Sequence, residues 1–303
     1  MKKLFCKLPP LQWAAFLSAL ISAALQTAAM LLEFETESNY FAVGATLPKI
    51  AILFALLSCV LGILSAIFTA KEKKLLATYP TGLRRLHIAP AVGFLFALIG
   101  LGWDLFQKAS DLWEQRNDGA TFLRDFLAGK TKLALFALLL LFCALFYCLS
   151  WALSKKENQT ETVLLGFATV IACALLSAYL YFDFSIEMNT PVKSLLQGGC
   201  LCSMILFTTE LRLPLEKAFP KLLLAVSNLV ISITSLTAVS VPVAFFTGKL
   251  QSTRVDHLFY SLFLLCMIPA ALEHIITSSH SDNQANTADI PDSNDPDTER
   301  TES

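Results

Sequence analysis

The run LALFALLLLFCALFYCL, Leu133 to Leu149, contains no charged residue. As a helix rising about 1.5 Å per residue it is roughly 25 Å long, close to the thickness of bilayer hydrocarbon. A strand reading fails, because the apolar residues run continuously instead of alternating with polar ones. This stretch is the centre of a transmembrane helix, and it sets the scale for the rest of the chain.

Working outward, eight blocks of comparable length and polarity appear: 11–32, 47–69, 88–104, 132–153, 162–182, 192–211, 221–247 and 258–276. Composition agrees. Of 303 residues, 55% are apolar and 16% charged, with a mean hydropathy of +0.60. A soluble domain averages about 45–50% apolar and about 25% charged. A soluble enzyme, a nucleic-acid binder and a disordered chain are thereby excluded, and the net charge of −1 agrees. The expected fold is an all-α polytopic transmembrane bundle over residues 1–276, with the lipid bilayer as its first partner. Block 88–104 is short and holds Pro90, Gly93, Gly100 and Gly102. A seven-span bundle that leaves this block re-entrant is the rival architecture.

Orientation follows from the basic residues between blocks. Lys2, Lys3 and Lys7 precede block one, and Lys71, Lys73, Lys74, Arg84 and Arg85 follow block two. Lys155, Lys156, Arg212, Lys217, Lys221 and Arg300 fall on the same side, which collects fourteen of the 23 Lys and Arg. That side is expected to be cytoplasmic, with both termini in the cytoplasm. Trp13, Trp103 and Trp151 fall near block ends, where amphipathic rings favour the headgroup region. The opening run is longer than a signal-peptide core, so an uncleaved first span is expected.

Two segments lie outside the blocks. In 104–130, Leu105, Ala109, Leu112 and Trp113 recur at helical spacing. Asn117-Asp118-Gly119 interrupts the pattern, and Phe122, Leu123, Phe126 and Leu127 resume it. Two short amphipathic helices are expected there. In 277–303, seven acidic residues stand against Arg300 among Ser, Thr, Asn and Pro. A segment with so little to bury is expected to be a disordered, acidic cytoplasmic tail.

Chemical motifs are sparse. Cys59, Cys143, Cys148, Cys173, Cys200, Cys202 and Cys266 lie within apolar blocks and read as small packing residues, with Cys6 in the basic N-terminus. Metalloprotease, nucleophile-elbow and phosphate-loop motifs are all missing. No catalytic residues, metal or cofactor are expected, and enzyme is the least favoured class. Charges at span borders are the better pointers, since each costs about 2.5–3.5 kcal/mol in a membrane unless partnered. These are Glu210 and Arg212 after block six, Glu273 and His274 in block eight, and Asp183, Glu187 and Lys193 around Asn189 and Pro191. Glu210 and Arg212 are two apart and point in different directions on a helix. Glu210 therefore needs a partner from another helix, with His274, Arg84 and Arg85 the candidates.

Block seven carries Ser227, Asn228, Ser232, Thr234, Ser235, Thr237 and Ser240, with Pro242 near its end. Asn228, Ser232 and Ser235 form one stripe at helical spacing, and block six adds Gln197, Gly199 and Ser203. Such a stripe either packs helices closely through hydrogen bonds or lines a polar cavity.

The segment YFDFSIEMNTPVK, Tyr181 to Lys193, continues through Leu195–Gln197 to Glu210-Leu211-Arg212. In these 30 or so residues the chain resembles a group of uncharacterised multi-pass membrane proteins of Gram-positive bacteria. There an Asp followed by Met-Asn-x-Pro-x-Lys precedes a helix ending in Glu-x-Arg. The resemblance implies a bacterial plasma membrane and no particular chemistry, and it singles out Asp183, Asn189, Lys193, Glu210 and Arg212. Together with Asn228, Ser232, Ser235 and His274, these are the residues expected to bind a small solute between spans five to eight. That reading makes the chain transporter-like. The alternative is a sensor or scaffold whose cytoplasmic loops and tail meet a protein partner.

Overall fold

A computed structural model describes residues 8–69, 84–115, 119–128, 130–153, 159–182, 190–213, 219–250 and 255–288. The long helices are α1 (Pro10–Leu32), α2 (Leu47–Thr69), α3 (Ile88–Gln115), α5 (Lys130–Leu153), α6 (Gln159–Tyr181), α7 (Pro191–Glu210), α8 (Pro220–Ala238) and α10 (Val255–Ala288). Two shorter ones, α4 (Gly119–Phe126) and α9 (Ser240–Phe246), complete the set, and a 3-10 turn over Arg84–His87 leads into α3. Among the described residues eight helical stretches are long and apolar enough to cross a membrane, with α8 and α9 together making one of them. The protein is an all-α integral membrane bundle. Proline opens α1, α7 and α8, at positions whose N–H would have no helical partner.

The third block is a continuous helix, so the eight-span architecture holds over its seven-span rival. Pro90 sits in the first turn of α3, where its missing N–H costs nothing. Gly93 and Gly100 are contact points. A Cβ on Gly93 would lie 2.8 Å from Cys266 Cβ, and one on Gly100 would lie 2.9 Å from Phe259 Cβ. Residues that weakened the sequence reading thus let α3 lie directly against α10. The helix then runs on to Gln115 and takes up the first of the two amphipathic stretches expected in 104–130. Only the second is a separate helix, α4.

Two groups of helices share α8. On one side α1 and α2 pack along each other and both pack on α8. On the other, α3, α5, α6 and α7 follow one another as neighbours, while α10 packs on α3, α7 and α8. Leu53, Leu56, Leu57, Val60 and Ile67 of α2 stay exposed on the outside, as does Phe146 of α5, a surface suited to acyl chains. Between α1 and α2 the chain makes a small hairpin, β1 (Phe34–Glu35) against β2 (Tyr40–Phe41). Asn39 turns it with φ 57°, a left-handed conformation that asparagine tolerates well. Helix α8 ends at Ala238, four residues before Pro242, which has no N–H to donate to the Ala238 carbonyl. At the far end α10 is continuous to Ala288, past the composition change at Thr277. Residues 289–303, which carry most of the acidic tail, lie outside the described residues.

Candidate functional site: a buried histidine and glutamate centre

Alternate helices of the bundle run in opposite directions, so the start of α3 meets the ends of α5 and α7 and the middle of α10. His87 closes the 3-10 turn just before α3, and Tyr147 and Trp151 lie on the last turns of α5. Glu210 is the final residue of α7, while Glu273 and His274 lie on α10, four and five residues after Pro269. All six side chains are buried, with His87, Glu210 and Glu273 at 0% exposure.

His87 is the hub. Its Nδ1–H donates to Glu273 Oε2 at 2.5 Å, and its Nε2 lies 3.1 Å from Glu210 Oε1. Tyr147 donates its hydroxyl to the same Glu210 oxygen at 2.8 Å. The second oxygen, Oε2, lies 3.5 Å from His274 Nε2 and accepts no hydrogen bond from the described residues. Trp151 and His274 flank the His87 ring at centroid distances of 5.7 and 5.9 Å. Burying ions costs several kcal/mol each, and only opposite charge and directed hydrogen bonds offset that cost. Burial disfavours a charged His87 ring, while the carboxylates of Glu210 and Glu273 on either side favour one. His87 is thus clasped between two carboxylates.

The same groups are metal ligands by type. One ligand atom each from His87, Glu210 and His274 lie within 4.8 Å of one another. No metal centre was expected from the sequence, since no local motif joins these three. Glu210 finds its interhelical partner in His274, one of the candidates, and in His87, which was not among them. The side chains of Arg84 and Arg85 lie outside the described residues. Arg212 turns away as its spacing requires, stacking on Phe219 with Cζ 5.5 Å from the ring centroid.

The remaining expected residues that are described do not join this centre. Asn228 and Ser232 on α8 face α1 and α2. Asn228 accepts from Gln12 Nε2 at 2.5 Å and donates to the Leu224 carbonyl at 3.0 Å. Ser232 and Ser58 share a hydrogen bond of 2.7 Å, and Ser58 also donates to the Ala15 carbonyl at 2.8 Å. Ser235 donates to the carbonyl of Ser232 at 3.0 Å. A Cβ on Gly62 would lie 2.4 Å from Asn228 Cβ, so the helices are in direct contact. Lys193 is fully buried near the start of α7, at the other end of that helix from Glu210. Asp183 and Asn189 lie outside the described residues. The seven described cysteines are all free thiols.

Sequence reasoning passed over His87, Tyr147 and Gln12. His87 stands one residue before an apolar block, Tyr147 inside an uncharged one, and neither position carries a local signal of its tertiary partners. No family model, curated protein or solved structure matches the chain.

Proposed function

We propose that this protein is a transporter-like membrane bundle that binds a small cationic solute at the His87–Glu210–Glu273–His274 centre. One observation carries the reading. Two carboxylates and two imidazoles, from two helices and the turn that precedes a third, are gathered at one place and buried. Intramembrane ionisable groups are costly, and gathering four of them is the usual mark of an ion pathway. The reading keeps spans six (α7) and eight (α10) of the expected site and replaces spans five and seven with His87, in the turn before span three. The basic-loop count supports placing that end of the bundle at the cytoplasmic face of a bacterial plasma membrane, with both termini inside.

Proteoliposomes loaded with cation-sensitive dyes test this. Imposed gradients of H⁺, Na⁺, K⁺, Mg²⁺ or Zn²⁺ should drive a flux through the wild type. His274→Gln, which keeps size and polarity, should abolish or strongly reduce it. A folded wild type that passes none of these ions supports the rival reading, a membrane sensor or scaffold. The hydrogen-bonded packing of Asn228 and Ser232 against α1 and α2 favours that rival, since it leaves the α8 stripe fully engaged in helix contacts.

A further inference from the structure

From the geometry of the buried centre we infer that His87 Nε2, Glu210 and His274 Nε2 bind one divalent first-row transition-metal ion of the zinc type. The inference rests on the proposed reading for the place of the solute site and names the solute class.

Ligand spacing is the first argument. A tetrahedral ion with bonds of about 2.0–2.1 Å sets its ligand atoms roughly 3.3 Å apart. Here His87 Nε2 to Glu210 Oε1 is 3.1 Å and His274 Nε2 to Glu210 Oε2 is 3.5 Å. The two imidazole nitrogens and a carboxylate oxygen lie within 4.8 Å of each other, so small side-chain rotations close the remaining edge. Glu210 bridges the two imidazoles with one oxygen towards each.

The outer contacts point the same way. Glu273 Oε2 takes the Nδ1–H of His87, the arrangement in which a carboxylate fixes the tautomer of a metal-binding histidine and leaves Nε2 to the ion. Tyr147 similarly orients Glu210 through its hydroxyl. Glu210 Oε2 is fully buried and faces His274 Nε2 at 3.5 Å, while Oε1 faces His87 Nε2. Imidazole with carboxylate suits Zn²⁺, Co²⁺ or Ni²⁺ better than alkali ions or Mg²⁺, which prefer all-oxygen shells.

The test uses the full chain, purified in detergent and stripped with a chelator. Equilibrium titration with Zn²⁺ should give one ion per chain. His274→Gln should abolish stoichiometric binding, and Glu273→Gln, acting only through His87, should weaken it by about ten- to a hundredfold. Should a variant fail to fold, Co²⁺ loaded into the wild type decides instead. Visible ligand-field bands of a four-coordinate nitrogen and oxygen site are expected. A near-ultraviolet thiolate-to-cobalt band would put the metal on cysteines and overturn the inference. So would folded wild type that binds no Zn²⁺, or folded His274→Gln that binds it unchanged. Flux of H⁺ or Na⁺ without Zn²⁺ binding would overturn the metal site and keep the transporter-like reading. Stoichiometric Zn²⁺ without flux of any cation would keep the metal site and overturn that reading.

Discussion

Glu210 shows how a single residue's surroundings set its worth. Its carboxylate meets His87, His274 and Tyr147, all buried, so neutralising it removes the acceptor that three interior groups share. Breaking a buried pair from one side costs about 3–5 kcal/mol. Glu210→Gln should therefore lower the detergent melting temperature clearly, whereas Glu37→Gln in the exposed first loop should leave it within error. Tyr147→Phe deletes only the hydroxyl and should cost an intermediate amount, about 1–3 kcal/mol. Equal melting for Glu210→Gln and Glu37→Gln would mean that Glu210 reaches water. From the sequence, the need for an interhelical partner was legible in the two-residue offset from Arg212. The partner's full identity was not, because His87, 123 positions away, meets Glu210 only through the packing of α3 on α10 and α5.

At the scale of the element, glycine and the polar stripe of α8 act as contact devices. Gly93 and Gly102 sit in the same helix but differ in what surrounds them. A Cβ on Gly93 would strike Cys266 Cβ at 2.8 Å, while nothing lies within 4 Å of one on Gly102. Gly93→Ala should force α3 away from α10 and destabilise by about 1–3 kcal/mol. Gly102→Ala should be neutral or stabilising by up to about 1 kcal/mol, as removal of a helix-interior glycine. Thermal unfolding of the two variants side by side checks both signs. For α8, cysteines at Asn228, Ser232 and Ser235 should be inert to small membrane-impermeant thiol reagents after the native cysteines are replaced. Ser232→Leu should disrupt the bundle, since Ser58 and Asn228 leave no room for it. Rapid labelling at all three positions would mean that water reaches the stripe. The sequence presented that stripe with two readings, packing and cavity. Composition could not separate them, because a hydroxyl facing a neighbouring helix and one facing water look alike in a single chain.

For the whole molecule, an even number of spans puts both ends of the chain on one side of the membrane. Reporter fusions at Lys2 and Asp282 should then give the same answer, cytoplasmic by the basic-loop count; opposite answers would overturn the eight-span topology. This much was legible without any tertiary information, since in hydrocarbon every backbone group must be satisfied within its own segment. A run such as Leu133–Leu149 has no alternative to the helix, and eight such runs determine the class of architecture. Block three read as doubtful for a related reason: glycine and proline lower intrinsic helix preference, and only contact with α10 explains Gly93 and Gly100. The histidine and glutamate centre belongs to the tertiary structure alone. Its members are spread from residue 87 to residue 274, none lies in a recognisable spacing, and each is an ordinary border residue in its own helix. Antiparallel packing of long helices brings their ends together, and that proximity, which no local pattern encodes, is what turns four separate ionisable residues into one site.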